Sequence, residues 1–295
     1  MSSFRRFALP LLLLMILLGT AGCTRNAHEQ LRISANPWIG FTPLVYAQQK
    51  GWLKETGIKF LWVVGLEENV KLYRQGLSDG FVATQYEYFS LKEEQDVKPY
   101  FLFDRSAGAD VILSNKSLEA LRRSDHVTAY LEITGLNKDL LQAFIDQYGI
   151  NCDSTMMHSS DPESMSLMKP GDDPSVLIAY EPYATVIEKN GFHRVASTRE
   201  ITKMMVIDAL WLNADIAAHH AGDIRMLKAA VDRAVNALHK DPKEYYDTVA
   251  AYLKDQSYDE FSESLKGIEW INHSPSEAIM NYLQSQHIAT DALLP

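Results

Sequence analysis

The stretch Leu31-Arg-Ile-Ser-Ala-Asn-Pro-Trp-Ile-Gly-Phe-Thr42 most constrains how this chain folds. Leu31 to Ala35 reads as a short strand that breaks at Asn36-Pro37. A helix then starts near Gly40-Phe41-Thr42 and runs to Lys50. Pro43 suits the first helical turn, where its missing N–H costs nothing, and Thr42 is placed to cap it. A strand-to-helix turn of this kind aims unpaired backbone N–H groups at one point, which suits a polar or charged group. Trp38 and Phe41 flank that point with flat apolar surface. Two readings follow: one wall of a ligand cleft, or an ordinary turn with Trp38 packed in the core. On this stretch alone the second is favoured.

The same strand-then-helix unit recurs. Ile58 to Val64 is an apolar, β-branched run, and Glu67 to Leu77 has helical spacing. Phe81 to Thr84 is a short strand, Gln85 to Leu91 opens a helix, and Val97 to Phe103 is a further strand. This alternation predicts a mainly parallel α/β sheet with ligands at the strand C-terminal ends. Asp104 to Asp110 is a polar link into the strand Val111–Ser114, where the chain crosses into a second lobe. There Val127–Ile133 and Ser175–Tyr180 read as strands, and Lys138–Tyr148 and Glu181–Asn190 as helices. Asp153 to Met168 is weakly patterned. Met204 to Leu212 returns the chain to the first lobe, and helices fill the rest. Tyr86-Glu87 and Tyr180-Glu181 stand alike at strand-to-helix junctions, an internal echo of two similar lobes.

The N-terminus reads as an address rather than as fold. Arg5-Arg6 precede an apolar core, Phe7 to Leu18, and the small residues Gly19-Thr-Ala-Gly lead to Cys23, the pattern of a secretory signal too short for a membrane span. It resembles a bacterial lipobox, with Thr20 where leucine usually stands. The resemblance implies cleavage after residue 22, diacylglycerol on Cys23 and a tether over 23–29. The remainder is long enough for one large or two ordinary domains. A formal net charge of −10 and the lack of any basic run argue against nucleic acid as a partner. Beyond Cys23 the sole cysteine is Cys152, so neither an internal disulfide nor a cysteine-rich metal site is expected.

Five pieces in order resemble the extracytoplasmic solute-binding proteins of ABC importers, in the nitrate/sulfonate/taurine and thiamine-precursor branch. They are Pro37-Trp-Ile-Gly-Phe-Thr-Pro43, Ala47-Gln-Gln-Lys-Gly-Trp-Leu53, Gly76-Leu-Ser-Asp-Gly80, Ser106-Ala-Gly-Ala-Asp-Val-Ile112 and Tyr180-Glu-Pro182. The resemblance implies a two-lobed periplasmic-binding-protein fold of type II, with two crossover strands. Lobe 1 is then 30–106 with 207–295, and lobe 2 is 107–206. It also implies hinge closure on a small molecule, delivery to an ABC permease, and a lipid-anchored monomer in the periplasm or at the cell surface. Tyr180 stands where many relatives have tryptophan, and Asp153–Lys169 lacks the family's small apolar residues. The ligand therefore need not be that of a well-known relative.

The candidate ligand-binding residues are Trp38, Gly40, Phe41 and Thr42 in the first turn, and Thr84, Gln85 and Tyr86 in the next. Ser106, Gly108 and Asp110 lie at the lobe crossing, and Thr134, Gly135 and Glu181 in the second lobe. Each has a plain structural alternative: core packing for the aromatics, and capping for Thr84, Thr134 and Glu181. If Asp110 and Glu181 reach the ligand, a cationic amine or amidine is favoured over nitrate or sulfonate, and aromatic walls suit a cation or a pyrimidine-like ring. The histidines show no metal spacing, and neither a G-x-S-x-G frame nor a phosphate loop is present. No cofactor and no enzymatic activity are expected. Two alternatives stay open: a lipoprotein that signals its closed state to a membrane receptor, suggested by Thr24 after Cys23, and a pyrimidine-synthesis enzyme of the same fold.

Overall fold

The computed structural model describes residues 30–92, 96–133 and 135–295. The signal, the tether with Cys23, and Thr134 lie outside the described residues. Leu31–Pro295 form one compact unit.

Two sheets organise that unit. The first contains β1 (Leu31–Ala35), β2 (Ile58–Trp62), β3 (Gly80–Thr84), β4 (Val97–Ser106), β10 (Val206–Asn213) and β11 (Ile268–Trp270), in the order β11-β4-β10-β3-β1-β2. The second contains β5 (Asp110–Ser114), β6 (Thr128–Leu131), β7 (Met157–Ser159), β8 (Ser175–Tyr180) and β9 (His193–Ser197), in the order β7-β6-β8-β5-β9. Strands β3, β5 and β8 are rich in Val, Ile, Leu, Phe and Ala, and sit mid-sheet, covered on both faces.

The sheets are mixed rather than mainly parallel. β1 runs parallel to β2 and β3, and β6 parallel to β7 and β8. The crossing strands run against their neighbours: β10 lies antiparallel between β3 and β4, and β5 antiparallel between β8 and β9. A strand that carries the chain from one sheet to the other enters from the opposite end to the βα units, and so reverses the pairing. The chain crosses at residues 107–109 and again at 198–205.

The main core lies around the first sheet, with Leu31, Ile33, Phe41, Phe81, Phe101 and Trp211 almost fully buried. Two smaller clusters cover the faces of the second sheet, one around Ile112, Leu140 and Phe144 and the other around Val111, Leu177 and Ile187. Among the described residues no helix is long and apolar enough to cross a membrane.

Candidate functional site

The strand ends of the two sheets meet face to face. Asn36, just after β1, donates from Nδ2 to the hydroxyl of Tyr180 at the end of β8 (3.2 Å). Ile39 N–H donates to the carbonyl of Glu181 (3.0 Å). The N–H of Glu67 donates to Glu132 Oε1 (3.2 Å), and the N–H of Leu136 to Glu87 Oε1 (3.0 Å). Gly135 lies so close to Tyr86 that a Cβ placed on it would stand 2.5 Å from the Tyr86 carbonyl oxygen. Glycine is needed here for lack of a side chain.

This junction buries five carboxyl groups, Glu87, Asp104, Asp110, Glu132 and Asp208, each no more than 3% exposed. Among the described residues none of the ion pairs includes any of them. Asp104 on β4 and Asp208 on β10 are cross-strand partners and share a hydrogen bond. A bond between two carboxyl groups needs a proton, so the pair holds at least one between them. Burial lifts both well above the ordinary range. The Trp38 Nε1–H, 3.4 Å from Asp104 Oδ2, works against the lift. Burial also pushes Asp110 up to about 7, against a lowering bond from Ser106, and the charge of Glu87 adds to the rise. Glu132 is pushed up to about 7 by burial, against the N–H groups of Glu67 and Leu66. Glu87 is raised by burial too. Three buried acceptor atoms here have no hydrogen-bond partner: Asn36 Oδ1, Asp104 Oδ1 and Asp110 Oδ2. Buried acceptors and carboxylates without donors are costly, so the junction is chemically suited to a group that brings donors and positive charge.

The predicted residues divide between this junction and the core. Trp38 (4% exposed) reaches it, with its ring edge-on to Tyr180 at 6.0 Å between centroids. Gly40 leaves room for Asp104, whose Oδ2 is 2.1 Å from where a Cβ would be. Phe41 packs edge-on to Phe103 in the core. Thr42 does not cap its helix. Its hydroxyl donates to the Ile39 carbonyl (2.8 Å) and accepts from Tyr245, because the 3-10 turn Ile39–Phe41 feeds directly into the helix Thr42–Gln49. Thr84 is a true cap, accepting from the Tyr86 N–H (3.1 Å) and bonding Glu87. Gln85 bridges to the returning strand, accepting from the Ile207 N–H (2.9 Å) and donating to Tyr282 (3.1 Å). Tyr86 is half-buried beside Phe89. Ser106 and Gly108 both bond Thr198, tying the two crossing segments together (2.9 and 2.8 Å). Glu181 is saturated by Arg194, Thr185 (2.8 Å) and Gln256 (2.9 Å). Glu87, Asp104, Glu132 and Asp208 were absent from the candidates. Their signal was a lone acid inside a strand-like run or at a strand-to-helix junction.

A cleft of about 600 Å³ opens beside the junction. Val64, Gly65, Glu67 and Glu68 after β2 form one wall, with Lys71 one turn on. Ser159 at the end of β7, with Ser160, Asp161 and Glu163 after it, forms the other. Buried Glu132 forms its floor, reaching Tyr180 Oη at 3.4 Å. A neighbouring cavity of about 580 Å³ shares Glu67 and Lys71 and is lined by Glu87 and Gly135. Of the predicted residues Gly135 lines this second cavity, and none lines the first.

Two mixed sheets flanked by helices, joined by two crossings and meeting at an acidic cleft, give the chain the fold of the periplasmic solute-binding proteins. Solved structures with this fold include the ligand-binding component of an ABC-type import system from Staphylococcus aureus, with zinc bound (15% identity, 90% of this chain and 96% of that chain, TM-score 0.69). Another is the alkanesulfonate-binding protein SsuA from Xanthomonas axonopodis pv. citri, bound to MOPS (13% identity, 90% and 98%, TM-score 0.65). A third is the periplasmic nitrate-binding protein NrtA from Synechocystis PCC 6803 (12% identity, 84% and 72%, TM-score 0.61). At these identities the likeness concerns the fold. No family model and no curated protein matches the sequence.

Proposed function

We propose that the chain is an extracytoplasmic solute-binding protein that closes two lobes on a small cationic molecule and delivers it to an ABC permease. Lobe 1 is 30–106 with 207–295 and lobe 2 is 107–206. The signal 1–22 is removed, and the mature monomer is held at the membrane by lipid on Cys23. The observation that carries the ligand class is the junction itself: five buried carboxyl groups, no ion pair to any of them among the described residues, and orphaned acceptors on Asn36, Asp104 and Asp110.

A nitrate or sulfonate placed there faces like charge and finds few donors. An ammonium, amidine or guanidinium supplies both positive charge and N–H groups. Trp38 and Tyr180 add aromatic surface, which attracts a desolvated cation. Protons shared within the carboxyl group keep its charge low, and an entering cation replaces them. The bonds that already join Asn36 to Tyr180 and Glu67 to Glu132 span the two lobes, so a ligand seated between them favours closure by contacts made to both sides.

The test is a thermal-shift screen of amines, amidines, guanidines, pyrimidines, amino acids, sulfonates and oxyanions. A ligand that binds the native state alone raises the melting temperature by mass action. Cations are expected to raise it, and Asp110→Asn to abolish the rise. A shift given by sulfonates or oxyanions and by no cation refutes the cationic assignment.

A further inference from the structure

We infer that the ligand is an elongated molecule with two cationic ends, of the α,ω-diamine class. This rests on the cationic reading above and goes further. The acidic groups fall into two separate sets. The inner set is Asp104, Asp110 and Asp208, where Asp104 Oδ1 and Asp110 Oδ2 lack partners although both residues are at most 3% exposed. The outer set is Glu132 and the cleft around it, lined by Glu67, Glu68, Asp161 and Glu163 with Lys71 as the one lining cation among the described residues. Lys254, 3.4 Å from Glu163, is a further outside charge at that rim.

Between the sets runs an unbroken line of contacts. Glu132 Oε2 meets the Tyr180 hydroxyl at 3.4 Å, the Tyr180 ring meets Trp38 at 6.0 Å, and Trp38 Nε1 meets Asp104 Oδ2 at 3.4 Å. Asp110 is the cross-strand partner of Tyr180 and flanks the inner end of this line. The middle of the line is therefore aromatic and its two ends are acidic. One cation neutralises one end and leaves the other with buried, uncompensated carboxylate. Two ammonium groups on a hydrocarbon spacer match the whole line: charge at each end, and methylenes against Trp38 and Tyr180 between them. Asn36 Oδ1, buried and without a partner beside Tyr180, offers one more acceptor to an N–H along the way.

The test is calorimetric titration of the full chain, in detergent, with 1,5-diaminopentane, spermidine and n-pentylamine. A charge-assisted contact at the second end is worth ~1.5–3 kcal/mol, so the diamines should bind ~10- to 100-fold tighter than pentylamine. Glu132→Gln keeps the shape of the side chain and removes the outer charge, so in that variant the diamine-to-monoamine ratio should collapse to ~2-fold or less. Equal affinity of the diamines and pentylamine in the unaltered protein overturns the two-ended ligand while leaving a cationic one. So does a ratio that survives Glu132→Gln. No binding of any amine overturns the cationic assignment itself.

Discussion

Asp110→Asn should make the protein less sensitive to alkali. The carboxyl of Asp110 is lifted from 3.8 to about 7, first by burial. A carboxyl raised in the folded state contributes stability that is fully present below its unfolded value and lost as pH climbs through the folded one. At ~1.36 kcal/mol per pH unit, this group alone removes about 2–3 kcal/mol of stability between pH 5 and pH 8. Asparagine has nearly the same shape and no charge to acquire. Its difference in unfolding free energy from the unaltered protein should therefore grow by about 2–3 kcal/mol in its favour from pH 5 to pH 8, whatever constant offset its amide adds. The assay is urea unfolding followed by tryptophan fluorescence, in amine-free buffer, at several pH values for both proteins. Parallel stability profiles would show that Asp110 is ionised at pH 5 in the folded state, and the account of a carboxyl group held neutral by burial would fail.

Three further outcomes are expected. A cation that binds the junction must displace protons from groups held near neutrality, so its affinity should rise between pH 6 and pH 8, with proton release visible as buffer-dependent heats in calorimetry. Gly135→Val sets a side chain against the Tyr86 carbonyl, 2.5 Å from the Cβ position, so it should hold the lobes apart, enlarge the radius of gyration seen by X-ray scattering and weaken ligand binding at least ~10-fold. Glu181→Ala strips Arg194 and the buried Thr185 and Gln256 of their shared acceptor, and should cost ~3 kcal/mol in urea unfolding; a loss under ~1 kcal/mol would show that the network is replaced by water.

Much of the fold was legible because its strands are written in Val, Ile, Leu and Phe and its turns in Gly, Pro, Asn and Asp. β1, β8 and the crossing into β5 stand within a residue or two of their expected places. The short strands β7 and β11, three residues each, left no pattern to read. The direction of pairing was missed because βα alternation says nothing about where a returning strand inserts. The site was legible as turns but not as side chains. In the first turn Trp38 and Gly40 lie at the junction, while Phe41 and Thr42 point into the core, where Phe103 and Tyr245 receive them. Orientation within a turn depends on packing that only the folded chain supplies. The acids that dominate the junction were in view all along: Asp208 inside Val206–Asn213, Asp104 within Val97–Ser106 and Glu132 directly after Leu131. A charge set into an apolar strand run needs a reason, and neither a polar link at Asp104 nor strand residues at Glu132 and Asp208 supply one.

The tie between the two crossings carries a mechanical consequence. Ser106 and Gly108 on the outgoing segment both bond Thr198 on the returning one. Two independent connectors permit bending, twisting and sliding of one half against the other. Cross-linked where each one leaves its sheet, they would act as a single flexure, which bends readily about one axis and resists torsion. Under the proposed closure, motion would then reduce to one coordinate, and a ligand would need to bias only that coordinate to set the whole molecule. A membrane partner gripping both halves would read a single variable, the gap between its two points of contact.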